Sequence, residues 1–395
     1  MKFNINIGTD NCKLFANNYD LDSVKQISEI ALQNKKNKVR IMPDYHGGKG
    51  CVIGTTIELT NKANPSHIGL DIGCGVSVYK LGKINIDFEA MDKFIRENIP
   101  HGANVNKNKV NVPKELEIKL DNMLKNIGVE PQRVYQSIGT LGSGNHYLEV
   151  GKSEDNILYL TVHSGSRNLG VQVAKYYQKV AEETYNRKVK EEKEDIIKNT
   201  LNKTEIQEKI VNFKTKYPYY YKEYLFDKDL DNYIRDMKIT TQYAELNRFT
   251  MIKTLLKYLG IDFSKDNFFQ SIHNYIDDKN VLRKGAISAH EGERVVIPIN
   301  MRDGMILGLG KGNSDWNNSA PHGAGRLCSR SRAKEFIQLD EFKESMKGIF
   351  STCVSVNTLD ESPMAYKPIE DILECITETV EVIDIIKPVY NFKSN

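Results

Sequence analysis

Side chains of types that can bind metals or phosphate occur in five glycine-rich parts of this chain, spread from residue 42 to residue 330. Between the fourth and the fifth part, residues 171–259 are long, charged and free of glycine. Glycine permits sharp turns and a close approach of the backbone to a ligand. A single site built from such distant parts argues for one integrated domain. We therefore expect one domain over residues 1–395, although the length alone would allow two or three.

The pattern between these parts predicts a mixed α/β fold of β-sheets flanked by helices. Strands are predicted from β-branched runs bounded by turn residues, at 38–42, 51–57, 76–79 and 157–162. Helices are predicted from apolar residues at helical spacing, at 21–33, 91–99 and 369–386. Asp20 is the expected N-cap of the first helix.

Residues 171–259 predict a helical insertion or subdomain within this domain. Apolar residues recur there at roughly helical spacing, at Ile197, Leu201, Ile206 and Ile210. Acidic and basic residues alternate around them, which favours a solvated arm packed by one apolar stripe over a dedicated nucleic-acid-binding arm.

The composition indicates the class of protein and excludes several others. The net charge of +3 excludes a polycation but not a local phosphate-binding patch. The six cysteines form no CxxC pair, and the chain is much longer than a disulfide-stapled secreted module. No apolar run approaches the ~20 residues of a membrane span, and the N-terminus lacks a signal-peptide pattern. We expect a reduced, cytoplasmic enzyme with no membrane partner.

The first two glycine-rich parts contain candidate ligands. Residues 42–50 (MPDYHGGKG) could approach an anion through backbone N–H groups, with Lys49 adding charge. In residues 69–75 (GLDIGCG), a turn through Gly73 can direct Asp71 and Cys74 at one point, where mixed oxygen and sulfur ligands suit Zn²⁺ or Mn²⁺. Each part in isolation is more often an ordinary turn, with the cysteine a small core residue.

Histidines distinguish the other parts. His146 and His163 each stand where an apolar run meets a glycine turn, and this shared context favours ligands over two isolated histidines. His322 precedes Arg326 and Arg330, which are four residues apart and would share one face of a helix opening after Gly325. Two guanidinium groups beside a histidine could form a phosphate clamp; an exposed, salt-bridged face is the alternative.

Nine motifs in order resemble the RtcB family of GTP-dependent RNA ligases. They are MPDYHGGKG, IGLDIGCG, GTLGSGNHYLE, HSGSRNLG, HNY, RKGA, HGAGRLCSR, DESPMAYK and the terminal stretch from Lys387-Pro388 to Lys393. The resemblance runs from about residue 40 to the C-terminus and is loosest in the helical arm. It implies the fold of that family rather than a Rossmann or P-loop fold.

The resemblance also implies a role for each matching residue. Two adjacent Mn²⁺ ions, bridged by Cys74, would be held by Asp71, Cys74, His146, His163 and His273. The guanosine nucleotide would be held by Asn145, Glu149, Asn274, Tyr366 and Lys393. RNA phosphates would be bound by Arg167, Lys284, Arg326 and Arg330. His322 would attack the α-phosphate of GTP and become guanylylated, and Asp44 would be a supporting carboxylate.

By the same resemblance, the substrates would be RNAs with a 3′-phosphate or 2′,3′-cyclic phosphate end and a 5′-hydroxyl end, joined through an RNA-ppG intermediate. An archease-type activator is a further expected partner in this family. One departure affects the nucleotide contacts, because Met305 stands where the family has a serine.

Three other functions remain open at this stage. They are a dinuclear phosphoesterase, an enzyme that caps RNA or DNA ends without joining them, and a non-catalytic RNA-binding module with a structural metal. A dinuclear phosphoesterase would give His322 no role. A structural metal site typically has four ligands, fewer than the five candidates in this chain.

Overall fold

The computed structural model describes residues 10–17 and 21–394, so the expected N-cap Asp20 lies outside the described residues. The strands are β1 Cys12–Leu14, β2 Val39–His46, β3 Ile53–Glu58, β4 Lys62–Ala63, β5 Gly75–Gly82, β6 Tyr147–Lys152, β7 Leu158–Ser164, β8 Leu225–Phe226, β9 Phe268–Ile272, β10 Asn274–Ile276, β11 Val281–Lys284, β12 Ala286–Ser288, β13 Arg294–Asn300, β14 Gly304–Gly310, β15 Ser319–Pro321 and β16 Val380–Lys393. The α-helices are α1 Leu21–Gln33, α2 Phe88–Asn98, α3 Lys114–Ile127, α4 Pro131–Gln136, α5 Arg167–Lys198, α6 Lys203–Lys216, α7 Asp227–Tyr258, α8 Arg330–Phe336, α9 Leu339–Ser345 and α10 Ile369–Ile376. The mixed α/β class is confirmed.

Two large sheets form the framework. The first has strand order β1-β2-β3-β11-β10, and the second has order β13-β14-β16-β6-β7-β5-β9. Two small sheets pair β12 with β15 and β4 with β8. Strands β1 and β2 are parallel, whereas the other pairs of described strands are antiparallel. Both large sheets therefore join strands that are distant in the sequence.

The strands predicted from β-branched runs are confirmed as β2, β3, β5 and β7, and the first two predicted helices as α1 and α2. The prediction of one helix over 369–386 is wrong. The helix α10 ends at Ile376, and the 14-residue strand β16 begins at Val380. This strand is rich in valine and isoleucine, lies between β14 and β6, and accommodates Pro388 where its pairing with β6 shifts register.

The charged sequence 171–259 is largely helical, as predicted, in α5, α6 and α7. The predicted apolar stripe is wrong, because Ile197 and Leu201 are exposed. Between residues 186 and 216, the buried apolar side chains are Ile196 and Phe213 instead. The spacing of apolar residues did not identify the buried face of these helices, because that face depends on which neighbouring helix packs against it.

Helix α7 packs into two hydrophobic cores. Tyr233 and Met237 belong to the core beneath the first large sheet, and Met251 and Leu255 to the core against the second. Each fully buried side chain of this size stabilises the fold by about 1.5–3 kcal/mol. The helix therefore anchors the arm to both sheets.

A search of the described helices for a stretch long and apolar enough to cross a membrane finds none.

Candidate functional site

One end of the second large sheet collects several candidate ligands. Cys74 directly precedes β5, and His273 directly follows β9. In the sheet, Gly75 at the start of β5 pairs with Ser164 at the end of β7 and with Ile272 at the end of β9. Antiparallel neighbours place the start of one strand beside the end of the next. Cys74, His163 and His273 therefore meet although they are up to about 200 residues apart in the chain.

His146 and Asp71 complete the cluster. Tyr147, the first residue of β6, pairs with His163, which brings His146 to the same end of the sheet. The Cys74 Sγ lies 3.6 Å from His146 Nε2 and 3.4 Å from His163 Nε2. His146 Nε2 lies 3.0 Å from Asp71 Oδ2. A Cβ at Gly165 would lie 2.0 Å from Asp71 Oδ1, so glycine is required beside this carboxylate.

The donor atoms form two groups that share one thiol. Cys74, His163 and His273 make one group, and Asp71, Cys74 and His146 make the other, with the ligand atoms of each within 4.8 Å of one another. The shared Cys74 is the arrangement required of a bridging ligand between two metal ions. The structure thus brings together all five residues that were expected to bind metal.

The hydrogen bonds of His146 and His273 fit bound cations. His146 Nδ1 lies 3.0 Å from the Leu141 carbonyl, which can only accept a hydrogen bond, so this nitrogen carries the proton. In the neutral ring, the Nε2 lone pair then faces the Asp71 carboxylate, which is favourable when a cation lies between them. His273 Nδ1 is buried without a hydrogen-bond partner among the described residues. Burial also lowers the pKa of His163 and His273 well below the ordinary value, which keeps these imidazoles in the neutral form that binds metals.

A carboxylate from the first sheet orients His322. Asp44 in β2 is fully buried, and its Oδ2 lies 2.6 Å from His322 Nδ1 and 3.1 Å from the His322 backbone nitrogen, which donates to it. A proton on Nδ1 leaves the lone pair on Nε2. The rings of His322 and His273 are 4.8 Å apart between centroids. A Cβ at Gly325 would lie 2.2 Å from the Asp44 carbonyl oxygen, so the loop after His322 can approach β2 only with glycine there.

On one side of His322 lies a cavity that we call the Glu361 pocket. The residues that line it include His322, Asn145, Glu149, Arg326, Glu361, Tyr366 and Lys393. Four of the five residues expected to hold a nucleotide are therefore together: Asn145, Glu149, Tyr366 and Lys393. The fifth, Asn274, lies elsewhere, where its side chain bonds the Asp71 carbonyl at 3.0 Å and the Gly285 N–H at 3.0 Å.

Glu361 is the electrostatic centre of this pocket. Its carboxylate contacts Lys393 Nζ at 2.9 Å, Arg330 Nη1 at 2.6 Å and the Arg326 guanidinium, and it accepts from the Tyr366 hydroxyl at 2.8 Å. Burial would raise the pKa of Glu361, but the three cations outweigh burial and lower that pKa to about 2. The carboxylate thus stays charged and holds the three cations in a fixed array.

Arg326 and Arg330 have a different local structure from the one expected. The prediction that Arg326 and Arg330 share one helix face is wrong, because α8 begins only at Arg330, capped by Ser329. Arg326 precedes the helix and pairs with Tyr366 in an isolated bridge. Both guanidinium groups nevertheless converge on Glu361.

Glu149 and Asn391 form the deep part of the Glu361 pocket. Glu149 Oε2 accepts a hydrogen bond of 2.8 Å from Asn391 Nδ2, and Asn391 Oδ1 is buried without a partner among the described residues. Burial raises the pKa of Glu149 to about 7, although Asn391 and Lys393 partly offset it. This buried pair of acceptors, beside the cations of Glu361, can recognise a ligand that carries N–H donors and phosphate.

On the other side of His322 lies a second cavity, which we call the lysine cleft. Its lining includes Lys49, Lys175, Lys222, Lys284, Asp71, Cys74, Asn274 and His273, and both His322 and Asn145 line it as well. Lys284 is buried, and its Nζ donates to the carbonyls of Lys49 and Ser66. Arg167 does not line the lysine cleft, and its side chain donates to Thr140 Oγ1 and the Gly102 carbonyl.

Met305 lies outside both cavities. It is fully buried on β14, packs with Val76, Val78 and Ile386, and faces Thr161 Oγ1 at 3.6 Å. The pocket is lined instead by its neighbour Gly304 and by Met301. The residue expected to alter nucleotide contacts is thus a core residue in this fold.

Sequence reasoning missed Arg248, which lies behind the ligand cluster. Its side chain is fully buried on α7 and donates to the carbonyls of Gly73 and Ser164 at 2.8 Å each, and to Ser77 Oγ at 3.0 Å. Gly73 precedes Cys74 and Ser164 follows His163, so Arg248 ties two ligand-bearing turns together. A single arginine in a charged helical sequence does not indicate this role. Sequence reasoning did not single out Glu361 either, although it lies within the DESPMAYK motif.

Comparisons with known proteins identify the family of this chain. A family model described as "tRNA-splicing ligase RtcB" matches residues 26–394. The chain is 26% identical to an RNA-splicing ligase RtcB of Escherichia coli (strain K12), over 89% of this chain and 88% of that protein. It is 26% identical to a tRNA-splicing ligase RtcB of Methanococcus maripaludis, over 92% and 89% of the two chains. The chain therefore belongs to the tRNA-splicing ligase RtcB family.

Proposed function

We propose that this chain is an RNA ligase that uses GTP to join an RNA 3′-phosphate or 2′,3′-cyclic phosphate end to a 5′-hydroxyl end. The observation that carries the proposal is the position of His322, which is oriented by Asp44 and lines both the Glu361 pocket and the lysine cleft. A nucleophile between two charged cavities can receive a group from one ligand and transfer it to another. Membership in the RtcB family supports the same reading.

The metal in this proposal is Mn²⁺, with two ions. Asp71, Cys74 and His146 would hold one ion, and Cys74, His163 and His273 the other. Mixed oxygen, sulfur and nitrogen donors suit a borderline divalent ion better than Mg²⁺. When bound, the ions would neutralise phosphate charge beside His322.

The nucleotide in this proposal is GTP, bound in the Glu361 pocket. The Glu149 carboxylate is suited to accept hydrogen bonds from guanine N1–H and N2–H₂. Adenine lacks these donors, so ATP would leave a buried acceptor unpaired. Lys393, Arg326 and Arg330 supply positive charge, and their shared contact with Glu361 keeps them in place before the nucleotide binds.

The chemistry assigned to His322 proceeds in three balanced steps. Nε2 attacks the α-phosphorus of GTP, a P–N bond forms, and the bond to the β-phosphate breaks with release of pyrophosphate. An oxygen of the RNA 3′-phosphate then attacks the same phosphorus, and the P–N electron pair returns to Nε2, which gives an RNA–(3′)pp(5′)G end. The 5′-hydroxyl of the second RNA loses its proton, attacks the RNA phosphate and displaces GMP. A cyclic phosphate end would first be hydrolysed to the 3′-phosphate.

We also propose that residues 1–395 form one catalytic domain, in which 171–259 is a helical insertion. The packing of α7 into both hydrophobic cores supports a single unit.

The test is incubation of the pure protein with α-labelled GTP and Mn²⁺. We expect an acid-labile covalent adduct that is lost in His322→Ala and retained in His290→Ala, because His290 lies outside both cavities. The absence of an adduct in the unaltered protein would reject the proposal and favour a dinuclear phosphoesterase. An adduct without joining of 3′-phosphate and 5′-hydroxyl RNAs would favour an end-capping enzyme.

A further inference from the structure

The two cavities beside His322 differ in what they offer a ligand. The Glu361 pocket combines buried acceptors with a fixed array of cations, which suits a base and its phosphates. The lysine cleft is open, contains the ligand residues Asp71, Cys74 and His273, and has four lysines along its lining. Lysine acts as a point charge for phosphate, without the geometric demands of base recognition. The lysine cleft is therefore suited to a polyanion that passes the metal ligands.

The helical arm supplies part of the lysine cleft. Lys175 lies in the third turn of α5 and is exposed, and Gln178 follows on the same face, where it donates to Ser66 Oγ at 3.1 Å. Lys222 comes from the 3₁₀ turn Tyr219–Glu223, which packs against α5, and its Nζ lies 2.6 Å from the Tyr219 hydroxyl. The arm is thus more than a solvated helical scaffold, because it lines a cavity that reaches His322.

The lysines of the cleft differ in how they are held. Lys284 is fixed beside the metal ligands by two backbone carbonyls. Lys49 and Lys175 are exposed and make no ion pair among the described residues, so their charge is available to a ligand. Glu182 and Glu223 also line the cleft and oppose an anion there. A groove of this kind follows the backbone of a single strand without reading its sequence.

We propose that the lysine cleft receives the single-stranded RNA segment that ends in the 3′-phosphate, with Lys175 and Lys222 of the helical arm contacting backbone phosphates upstream of the end. This inference rests on the proposed function, since it takes RNA as the substrate. It extends that function by assigning the RNA path to the arm and the nucleotide to the opposite side of His322. The RNA enters along α5, and its terminal phosphate reaches Asp71, Cys74 and His273.

Binding of a labelled single-stranded RNA of about ten nucleotides with a 3′-phosphate, measured by fluorescence anisotropy without GTP, tests the assignment. The variant Lys175→Gln should weaken binding several-fold and reduce the slope of log affinity against log salt by about 0.7, the value for one phosphate contact of a single strand. Lys179→Gln is the matched control, because Lys179 lies one turn farther along α5, is exposed and does not line the cleft. Glu182→Gln should tighten binding.

Equal weakening by Lys179→Gln, or unchanged binding and salt slope in Lys175→Gln, would overturn the assignment. The GMP adduct on His322 should form normally in Lys175→Gln. Failure of the proposed function is a separate result, namely no adduct in the unaltered protein. In that case the RNA affinities of the variants can still be compared.

Discussion

The carboxylate of Asp44 holds the ring and the backbone of His322 at once, with its Oδ2 2.6 Å from Nδ1 and 3.1 Å from the backbone nitrogen. These residues are 278 positions apart, with Asp44 in β2 and His322 directly after β15. The contact selects the tautomer with its lone pair on Nε2 and limits rotation of the ring. The supporting carboxylate expected from the sequence is thus placed to act directly on the proposed nucleophile.

Asp44→Asn should slow adduct formation on His322 by about 10³–10⁴-fold, because an amide N–H facing Nδ1 favours the tautomer with the proton on Nε2. The measurement is a single-turnover assay with α-labelled GTP. Bound Mn²⁺ and thermal stability, measured on the same preparation, serve as controls for folding. A rate within about tenfold of the unaltered protein would show that Asp44 does not set the tautomer.

Cys74→Ala should remove both Mn²⁺ ions rather than one, since Cys74 is the thiol common to the two donor groups. Elemental analysis after equilibrium dialysis gives the number of ions per chain. Cys51→Ala is the control, because Cys51 is also buried but belongs to neither group. Retention of one ion at unaltered affinity in Cys74→Ala would argue against a bridging role.

GMP binding should tighten about tenfold between pH 6 and pH 8, because burial raises the pKa of Glu149 to about 7. Below that pKa the free protein carries a proton on Glu149, and this proton must leave before the carboxylate can accept from guanine. Above it the carboxylate is already charged, and binding reaches a plateau.

Isothermal titration with GMP in the absence of Mn²⁺ measures this dependence. Glu149→Gln should bind GMP weakly and with the same affinity over this pH range. This result would distinguish an effect of Glu149 from an effect of the neighbouring Tyr147 or Lys393. A pH dependence that persists in Glu149→Gln would assign the titration to another group.

Arg248→Met should destabilise the protein by about 2–5 kcal/mol, because the carbonyls of Gly73 and Ser164 would be left buried without donors. Urea unfolding followed by circular dichroism measures the loss. Lys253→Met, on the exposed face of the same helix, should stay within about 0.5 kcal/mol of the unaltered protein. A similar small change for Arg248→Met would mean that water replaces the guanidinium at these carbonyls.

Local patterns in the sequence predicted much of the framework. The strands β2, β3, β5 and β7 followed from β-branched runs, since such side chains favour the extended backbone wherever they pack. The histidines His146 and His163 were recognised by their glycine-turn context, and both do lie at one end of the second large sheet. The helix predicted over 369–386 was wrong beyond Ile376, because strand β16 is defined by its partners β14 and β6, which lie elsewhere in the chain.

The sequence by itself determined the mixed α/β class, the family and the inventory of candidate ligands, because residue type and turn chemistry are local properties. Only the tertiary structure decided which of them meet. Antiparallel pairing of β5 with β7 and β9 brings Cys74, His163 and His273 together, and packing of β15 against β2 brings His322 to Asp44. The burial of Arg248 and the convergence on Glu361 likewise depend on packing between distant elements, which no local pattern encodes.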